Sequence, residues 1–540
     1  MKMKNVQSYI RIACIAVAVF ALQSCKKFLI EEPKNSTYNE VFWTDARAGD
    51  NAIAGNYALL RNALTSGFYG TGNRYYMYGD MSANAYIGTR DDPYYMRDIG
   101  NGSLTGNYIV QDYGNWSLFY KSIAMSNIIL KEMPLVSNEV LQTEHDNPEA
   151  FKRKILGQAY FLRAFTYFMM TRVWGDVPLV TEADDDPVNA PHLGRTPKAE
   201  VLQQIEDDCH QAATLLDWGT TTPAEVGVIA NKGAAYALLA HLYLWRATTT
   251  DLNTNQPIMA DVHSADTTID ALVNNGGYRM TDTARYGEIF VGRSPEGIFE
   301  LNMSENTLEG TNAHIGMKFL NNTFIPTYGA NAAYFVPPAY LTSHFYEIKV
   351  EEGWVWNEAA WAWEWGEVTT RVLDTTDVRF KNNFLGYRAE RPILKKYSNV
   401  VFRNPGQQLE PHLSNNMTLF RLSDMLLLKA EIALYQDNPA AATAIINQFR
   451  THYGASPAAQ LAPGLSKSEV MNEYILERGK ELYMEGHIFW DLIRTRKCFD
   501  VVPWLTEQRF RQGGFYWPLD PRLFSENRHL VQTEYWRGKI

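Results

Sequence analysis

Six segments of this 540-residue chain carry apolar side chains at helical spacing, and that repetition constrains the fold more than any single motif. Segment 151–172 puts Ile155, Ala159, Leu162, Phe165 and Met169 on one face. Residues 198–216 repeat the pattern with Val201, Ile205 and Leu215, and 230–247 does so with Leu238, Leu242 and Trp245. Late in the chain come 423–436, 439–453 and 467–496. Asn438-Pro439 separates the first two, as expected where Pro opens a new helix. The pair 423–453 has the form of a tetratricopeptide-type helical hairpin. Ala430 and Ala442 are small enough to let two helices approach, and Phe449 follows about two turns later. The spacing predicts an all-α chain, a tetratricopeptide-like superhelix rather than an alternating α/β protein.

Two stretches break the pattern. Between about 66–116 and 248–416, short segments are punctuated by Asn, Gly, Pro and Thr, as in Tyr328-Gly329 and Val336-Pro337-Pro338. They read as long irregular excursions from a helical frame at about 36–65, 117–247 and 417–540. Excursions of that length are usually functional.

The first 24 residues read as a secretory leader. Lys2, Lys4 and Arg11 precede an apolar run from Ile12 to Leu22 that is too short to span a bilayer. Leu22-Gln23-Ser24-Cys25 resembles a bacterial lipobox, which makes Cys25 the expected lipid anchor and the first residue of the mature chain, 25–540. The net charge of −10 becomes −13 without the leader, which holds three basic residues and no acidic one. With no basic tract, nucleic acid is not an expected partner. Cys209 and Cys498 could pair in an oxidising compartment but, far apart in sequence, read first as two buried thiols.

Enzyme signatures are missing: there is no Gly-x-Ser-x-Gly elbow, His-Glu-x-x-His, Cys-x-x-Cys or Walker loop. A glycosidase needs only two carboxylates across a cleft, so a surface glycoside hydrolase stays open, as does an adaptor that binds only protein or peptide. Glu182 with Asp184-Asp185-Asp186-Pro187 lacks calcium-hand spacing and reads as a solvated loop; neither metal nor cofactor is expected. Along one helix, Glu477 with Lys480 and Arg478 with Glu481 are opposite charges three apart, which with Glu485 reads as a solvated or inter-helix ion network.

Several motifs, in order and over nearly the whole chain, resemble the SusD/RagB family of outer-membrane nutrient-binding lipoproteins. They run from Cys25-Lys26-Lys27-Phe28-Leu29 and Phe42-Trp43-Thr44-Asp45-Ala46 through Ala159-Tyr160-Phe161-Leu162-Arg163-Ala164 and Trp174-Gly175-Asp176-Val177-Pro178. Lys232-Gly233-Ala234-Ala235, Arg421-Leu422-Ser423-Asp424, Glu477-Arg478-Gly479-Lys480-Glu481, Glu485-Gly486-His487 and Trp490-Asp491-Leu492 follow. Ile488 departs from the Arg common in that family. The resemblance implies a tetratricopeptide-containing fold and lipid attachment to the outer membrane facing the cell exterior. It also implies a lid-like partnership with a SusC-like TonB-dependent transporter that imports oligosaccharide or, in some members, peptide.

Aromatic clusters supply the candidate binding residues. Thirty-one Tyr, 25 Phe and 14 Trp make up 13% of the chain. Trp354, Trp356, Trp361, Trp363 and Trp365 crowd into twelve residues. If they form a hairpin around loop 357–360, Trp356 opposes Trp361 and Trp354 opposes Trp363, all on one face; a helix over 357–365 is the alternative. Indole faces stack on the C–H faces of sugars, and equally on a protein partner. The second cluster mixes aromatic, amide, acidic and guanidinium groups: Tyr75, Tyr76, Tyr78, Asp80, Asn84, Tyr86, Arg90, Tyr94 and Tyr95; a Tyr-rich loop packed against the helices is the alternative. The resemblance places this region on the ligand face. Tyr328 and Tyr334 are further candidates.

Overall fold

The computed structural model describes residues 42–540 except 67–72, 84, 91–95, 185–190, 220–221, 304, 307–308 and 310–313. The leader, Cys25 and the acidic loop 185–187 lie outside the described residues. The long helices are α1 (Ala48–Thr65), α2 (Ser117–Glu132), α3 (Pro148–Trp174), α4 (Lys198–Leu215), α5 (Lys232–Thr249) and α6 (Met259–Asn275), followed by α7 (Leu422–Tyr435), α8 (Pro439–His452), α9 (Lys467–Glu481) and the shorter α10 (Ile488–Arg494). Each helix from α1 to α9 packs against the next in sequence, which is how a helical-repeat superhelix is built. The fold is predominantly α.

Local chemistry sets the helix ends. Asn147 accepts a hydrogen bond from the Ala150 N–H with Pro148 at the first helical position, and Asn438, Ala441 and Pro439 repeat the device at α8. Ser466 and Glu469 form a capping box at α9. α3 stops at Gly175, whose φ of 75° suits glycine. Asp176, the next residue, accepts from the Lys198 N–H at the start of α4 (2.8 Å), a capping role. The hairpin α7–α8 forms as its spacing predicts, with Ala430 and Ala442 fully buried.

Two expectations fail here. α6 is a 17-residue helix inside the stretch read as irregular, paired with α5 and α7. The single helix expected over 467–496 is broken. After Glu481 the chain makes a tight turn with Met484 at φ 58° and Gly486 at φ 81°, and α10 then begins at Ile488. Ile488, the departure from the family pattern, is buried.

The core is rich in aromatic rings, with Trp174, Trp245, Trp490 and Trp517 among the largest fully buried side chains. It also holds an ion network around α9, buried and inter-helical rather than solvated. Glu477 pairs with Arg379 (2.7 Å), Arg450 (3.0 Å) and Lys480 (3.2 Å), and Glu481 with Arg379 (3.0 Å) and Arg421 (2.6 Å). Arg478 turns away from Glu481 to Asp424 and Asp491. Cys209 and Cys498 are both buried free thiols. No helix among the described residues is long and apolar enough to cross a membrane.

His344, at the end of the short helix Pro338–His344, is enclosed by the rings of Tyr86 and Tyr340. Burial drives its pKa down to about 3. An unfolded histidine titrates near 6.5, so on acidification the unfolded chain takes up this proton while the folded one refuses it until about pH 3. The neutral imidazole therefore supports the fold fully above about pH 6.5, and that support is lost as pH falls toward 3. Relative to a His344→Gln variant, the wild-type protein should lose about 2.5 kcal/mol of unfolding free energy between about pH 7 and about pH 4.5. Urea titrations of the pair at both pH values check this; parallel pH profiles would refute it.

Candidate functional site

Strands β3 (Tyr346–Asn357) and β4 (Ala362–Leu373) form an antiparallel hairpin, about 37 Å long at 3.4 Å per residue. Its base is anchored: Tyr346 is buried and donates its hydroxyl to Glu473, and the Arg371 guanidinium lies 4.2 Å above the Tyr346 ring. Away from that base the ladder is exposed on both faces.

The register pairs Trp354 with Trp365 and Trp356 with Trp363. This is two residues displaced from the sequence expectation, which had Trp356 opposite Trp361. The cause is the turn. Asn357 accepts from the N–H groups of Ala359 and Ala360, and Trp361 sits in the left-handed region (φ 51°), so Trp361 belongs to the loop and pairing starts at Ala362. Because the displacement is even, Trp354, Trp356, Trp363 and Trp365 still share one face. The helical alternative for 357–365 does not form.

Rings across the hairpin meet edge to face, Trp354 on Trp365 and Trp356 on both Trp361 and Trp363, each at 5.6 Å between centroids. Such contacts fix the rings yet leave them open to solvent: Trp356 is 39% exposed, Trp354 and Trp363 each 62%, Trp365 59% and Trp361 82%. A soluble protein rarely leaves so much contiguous aromatic surface uncovered without a use for it.

The tyrosine-rich segment is a correction. Tyr75, Tyr76, Tyr78, Asp80 and Tyr86 are all buried. Residues Arg74–Gly79 form a short helix sunk into the core, so these rings cannot present a face to ligand. Tyr78 packs on Trp174 and Trp517 and donates its hydroxyl to the Tyr113 carbonyl (2.8 Å). Tyr86 packs on Tyr340 and His344. Asp80 accepts from the Gly486 N–H (2.8 Å), and burial raises its pKa well above the usual carboxylate range. Tyr334 is buried as well, on strand β2 (Tyr334–Phe335), which pairs with β1 (Gly88–Thr89). Asn84, Tyr94 and Tyr95 lie outside the described residues.

Tyr328 and Arg90 remain accessible. Tyr328 is half-buried and lines a cleft of about 430 Å³ with Met317, Lys318, Leu320 and Asn331. Arg90 reaches the Asn331 carbonyl (3.4 Å), and its N–H donates to the Ala333 carbonyl (2.9 Å). The cleft loop is fixed by Asn321, which donates to the Ala330 carbonyl (2.8 Å). Partial burial lowers the pKa of Lys318. Sequence reading missed Lys318 and Asn331, although the Asn and Gly punctuation around Tyr328 marked the loop.

The comparisons agree on one family. A model described as starch-binding, associating with outer membrane, matches residues 81–244, and the SusD family model matches residues 295–506. A SusD-like protein of Formosa agariphila is 25% identical over 552 aligned residues, covering 96% of this chain and 97% of its own. Among solved structures, a SusD homologue from Bacteroides thetaiotaomicron superposes with a TM-score of 0.73 at 24% identity, over 92% of this chain and all of its own. NanU of B. fragilis does so with a TM-score of 0.65 at 18% identity, over 93% of this chain and 99% of its own. With its helical-repeat frame and both family models matched in order, the chain belongs to the SusD/RagB family.

Proposed function

We propose that this protein, held at the outer membrane by lipid on Cys25, captures oligosaccharide on its tryptophan face and delivers it to a SusC-like TonB-dependent transporter. The observation that carries the reading is the exposed ladder of Trp354, Trp356, Trp363 and Trp365, a row of indoles with no other described role. The cleft beside Tyr328 is a second contact region, combining an aromatic ring with amide and ammonium groups. We read the protein as a carrier and not an enzyme. The acidic helix α9 spends Glu477 and Glu481 on buried arginines and presents neither to a substrate. Membership of an outer-membrane nutrient-binding family supports the address and the class of cargo.

Calorimetry with malto- and cello-oligosaccharides tests the binding claim. Trp354→Ala plus Trp363→Ala removes one indole from each cross-strand pair at exposed positions, so folding should be unchanged while affinity falls at least tenfold, about 1.4 kcal/mol. Unchanged affinity would refute the platform. Cys25→Ala should move the protein from the membrane fraction to the soluble one, because each buried CH₂ of an acyl chain is worth about 0.8 kcal/mol. Pull-down of a large barrel protein from solubilised membranes tests the delivery step.

A further inference from the structure

Besides its indoles, the outer part of the hairpin carries charge of one sign. Between Glu351 and Glu367 there are five carboxylates, Glu351, Glu352, Glu358, Glu364 and Glu367, and no Lys or Arg. Two of the five sit on the tryptophan face. The register places Glu352 directly opposite Glu367, one same-face rung below the Trp354–Trp365 pair. Like charges facing each other across an antiparallel pair are destabilising, so this rung breaks a rule that the rest of the ladder keeps. Neither carboxylate is relieved by a cation among the described residues: Glu352 accepts only a long hydrogen bond from the Trp365 indole N–H (3.4 Å). The hairpin's two cations lie nearer its base. Arg371 stacks on Tyr346 and faces Glu473 (3.8 Å), and Lys349 projects from the opposite face.

We infer that the face selects carbohydrate carrying free amino groups, a polymer of glucosamine type, over neutral glycans and rejects polyuronates and sulfated glycans. The inference rests on the proposed sugar-binding role of the ladder and adds the charge class of the sugar. An ammonium group is attracted to the face of an indole, and the same group accepts no better partner than a carboxylate beside it. Glu352 and Glu367 stand about 7 Å along the strands from the nearest indole pair, inside the Debye length of about 8 Å at physiological salt. Their field therefore reaches any sugar stacked there. An amino sugar seated on Trp354 and Trp365 offers the cation that this rung lacks, whereas a uronate or sulfate would add a third negative charge. The face is open along its length, which suits an extended polymer lying along it rather than one captured by its end.

The test uses the full mature protein and four probes in calorimetry at low and at physiological salt: a glucosamine hexamer, cellohexaose, a galacturonate hexamer and hexalysine. The first two share a β-1,4 backbone and differ only in the group at C2. We expect the glucosamine hexamer to bind about tenfold tighter than cellohexaose at low salt, that advantage to shrink with added salt, and the galacturonate to show no binding. In a Glu352→Gln, Glu367→Gln variant the advantage should disappear while cellohexaose affinity stays within about twofold. Equal affinity of the three sugars for the wild-type protein overturns charge selection and leaves the platform standing; no binding of any sugar overturns both. A preference that survives in the variant overturns the assignment to these two residues. Hexalysine binding more tightly than the glucosamine hexamer overturns carbohydrate as the ligand class.

Discussion

Arg421→Ala is expected to abolish folding or to lower stability by at least about 3–5 kcal/mol, the cost of breaking one buried ion pair. The guanidinium is 1% exposed, where strand β5 (Met417–Arg421) meets α7. It serves three carboxylates at once: Glu481 (2.6 Å), Glu485 (2.7 Å) and Glu296 (3.2 Å). A further N–H donates to the Glu481 carbonyl (2.6 Å). Without it Glu481 keeps Arg379 and Glu485 keeps Lys396, but Glu296 is left fully buried without its cation. The Glu481 pKa shows how much the network does. Burial alone would raise it, yet Arg421 and Arg379 hold it near about 2. That depressed pKa supports the fold above about pH 4.5 and fails as pH falls toward 2. Total stabilities of roughly 5–15 kcal/mol leave little room for such a loss. Arg421→Lys keeps the charge without the fork and should rescue the protein only partly. Soluble yield and the urea midpoint by circular dichroism are the readouts. A wild-type midpoint for Arg421→Ala would show that the network contributes nothing.

What was legible in the sequence, and what was not, follows from range. Helices α3, α4, α5, α7 and α8 announce themselves because their signal is local: apolar residues three and four apart, with Asn-Pro or Gly at the ends. α6 carried the same signal in Val262, Ala265, Ile269 and Leu272, all buried, but its Asp- and Thr-rich remainder has weak helix propensity and hid it. The break in 467–496 was not visible, because Glu485-Gly486-His487 turns to meet a partner some 400 residues away in sequence, the Asp80 carboxylate. The candidate site divides along the same line. The tryptophan face was legible because period-2 alternation keeps it on one side even when the register moves by two residues. The tyrosine segment was misread because a ring with a hydroxyl serves a binding surface and a core equally well. Only tertiary packing says which, and here Tyr75, Tyr76, Tyr78 and Tyr86 went inside.

That misreading has a decisive test, because the tyrosine segment is fixed by an approach that only glycine permits. A Cβ added to Gly79 would lie 2.1 Å from the Gly486 carbonyl oxygen and 2.7 Å from its Cα, and one added to Gly486 would lie 2.1 Å from the Tyr75 ring. For Gly79 the obstacle is backbone, which cannot swing aside as a long side chain would. Gly79→Ala should therefore exceed the usual overpacking cost of about 1–3 kcal/mol and leave little or no folded protein. Gly486→Ala carries the added strain of a side chain at φ 81°. The control is Gly55→Ala on α1, where an added Cβ meets nothing within 4 Å. There the helix should gain about 0.5–1 kcal/mol from better propensity. Soluble yield and urea midpoints should place Gly79→Ala and Gly486→Ala below wild type and Gly55→Ala above it. A Gly79→Ala protein as stable as wild type would mean that the short helix stands clear of the turn, and would return Tyr75 and Tyr78 to the ligand question. Tyr78→Phe closes the argument from the other side. It removes the hydroxyl bonded to the Tyr113 carbonyl, so it should cost about 1 kcal/mol of stability and leave oligosaccharide affinity unchanged.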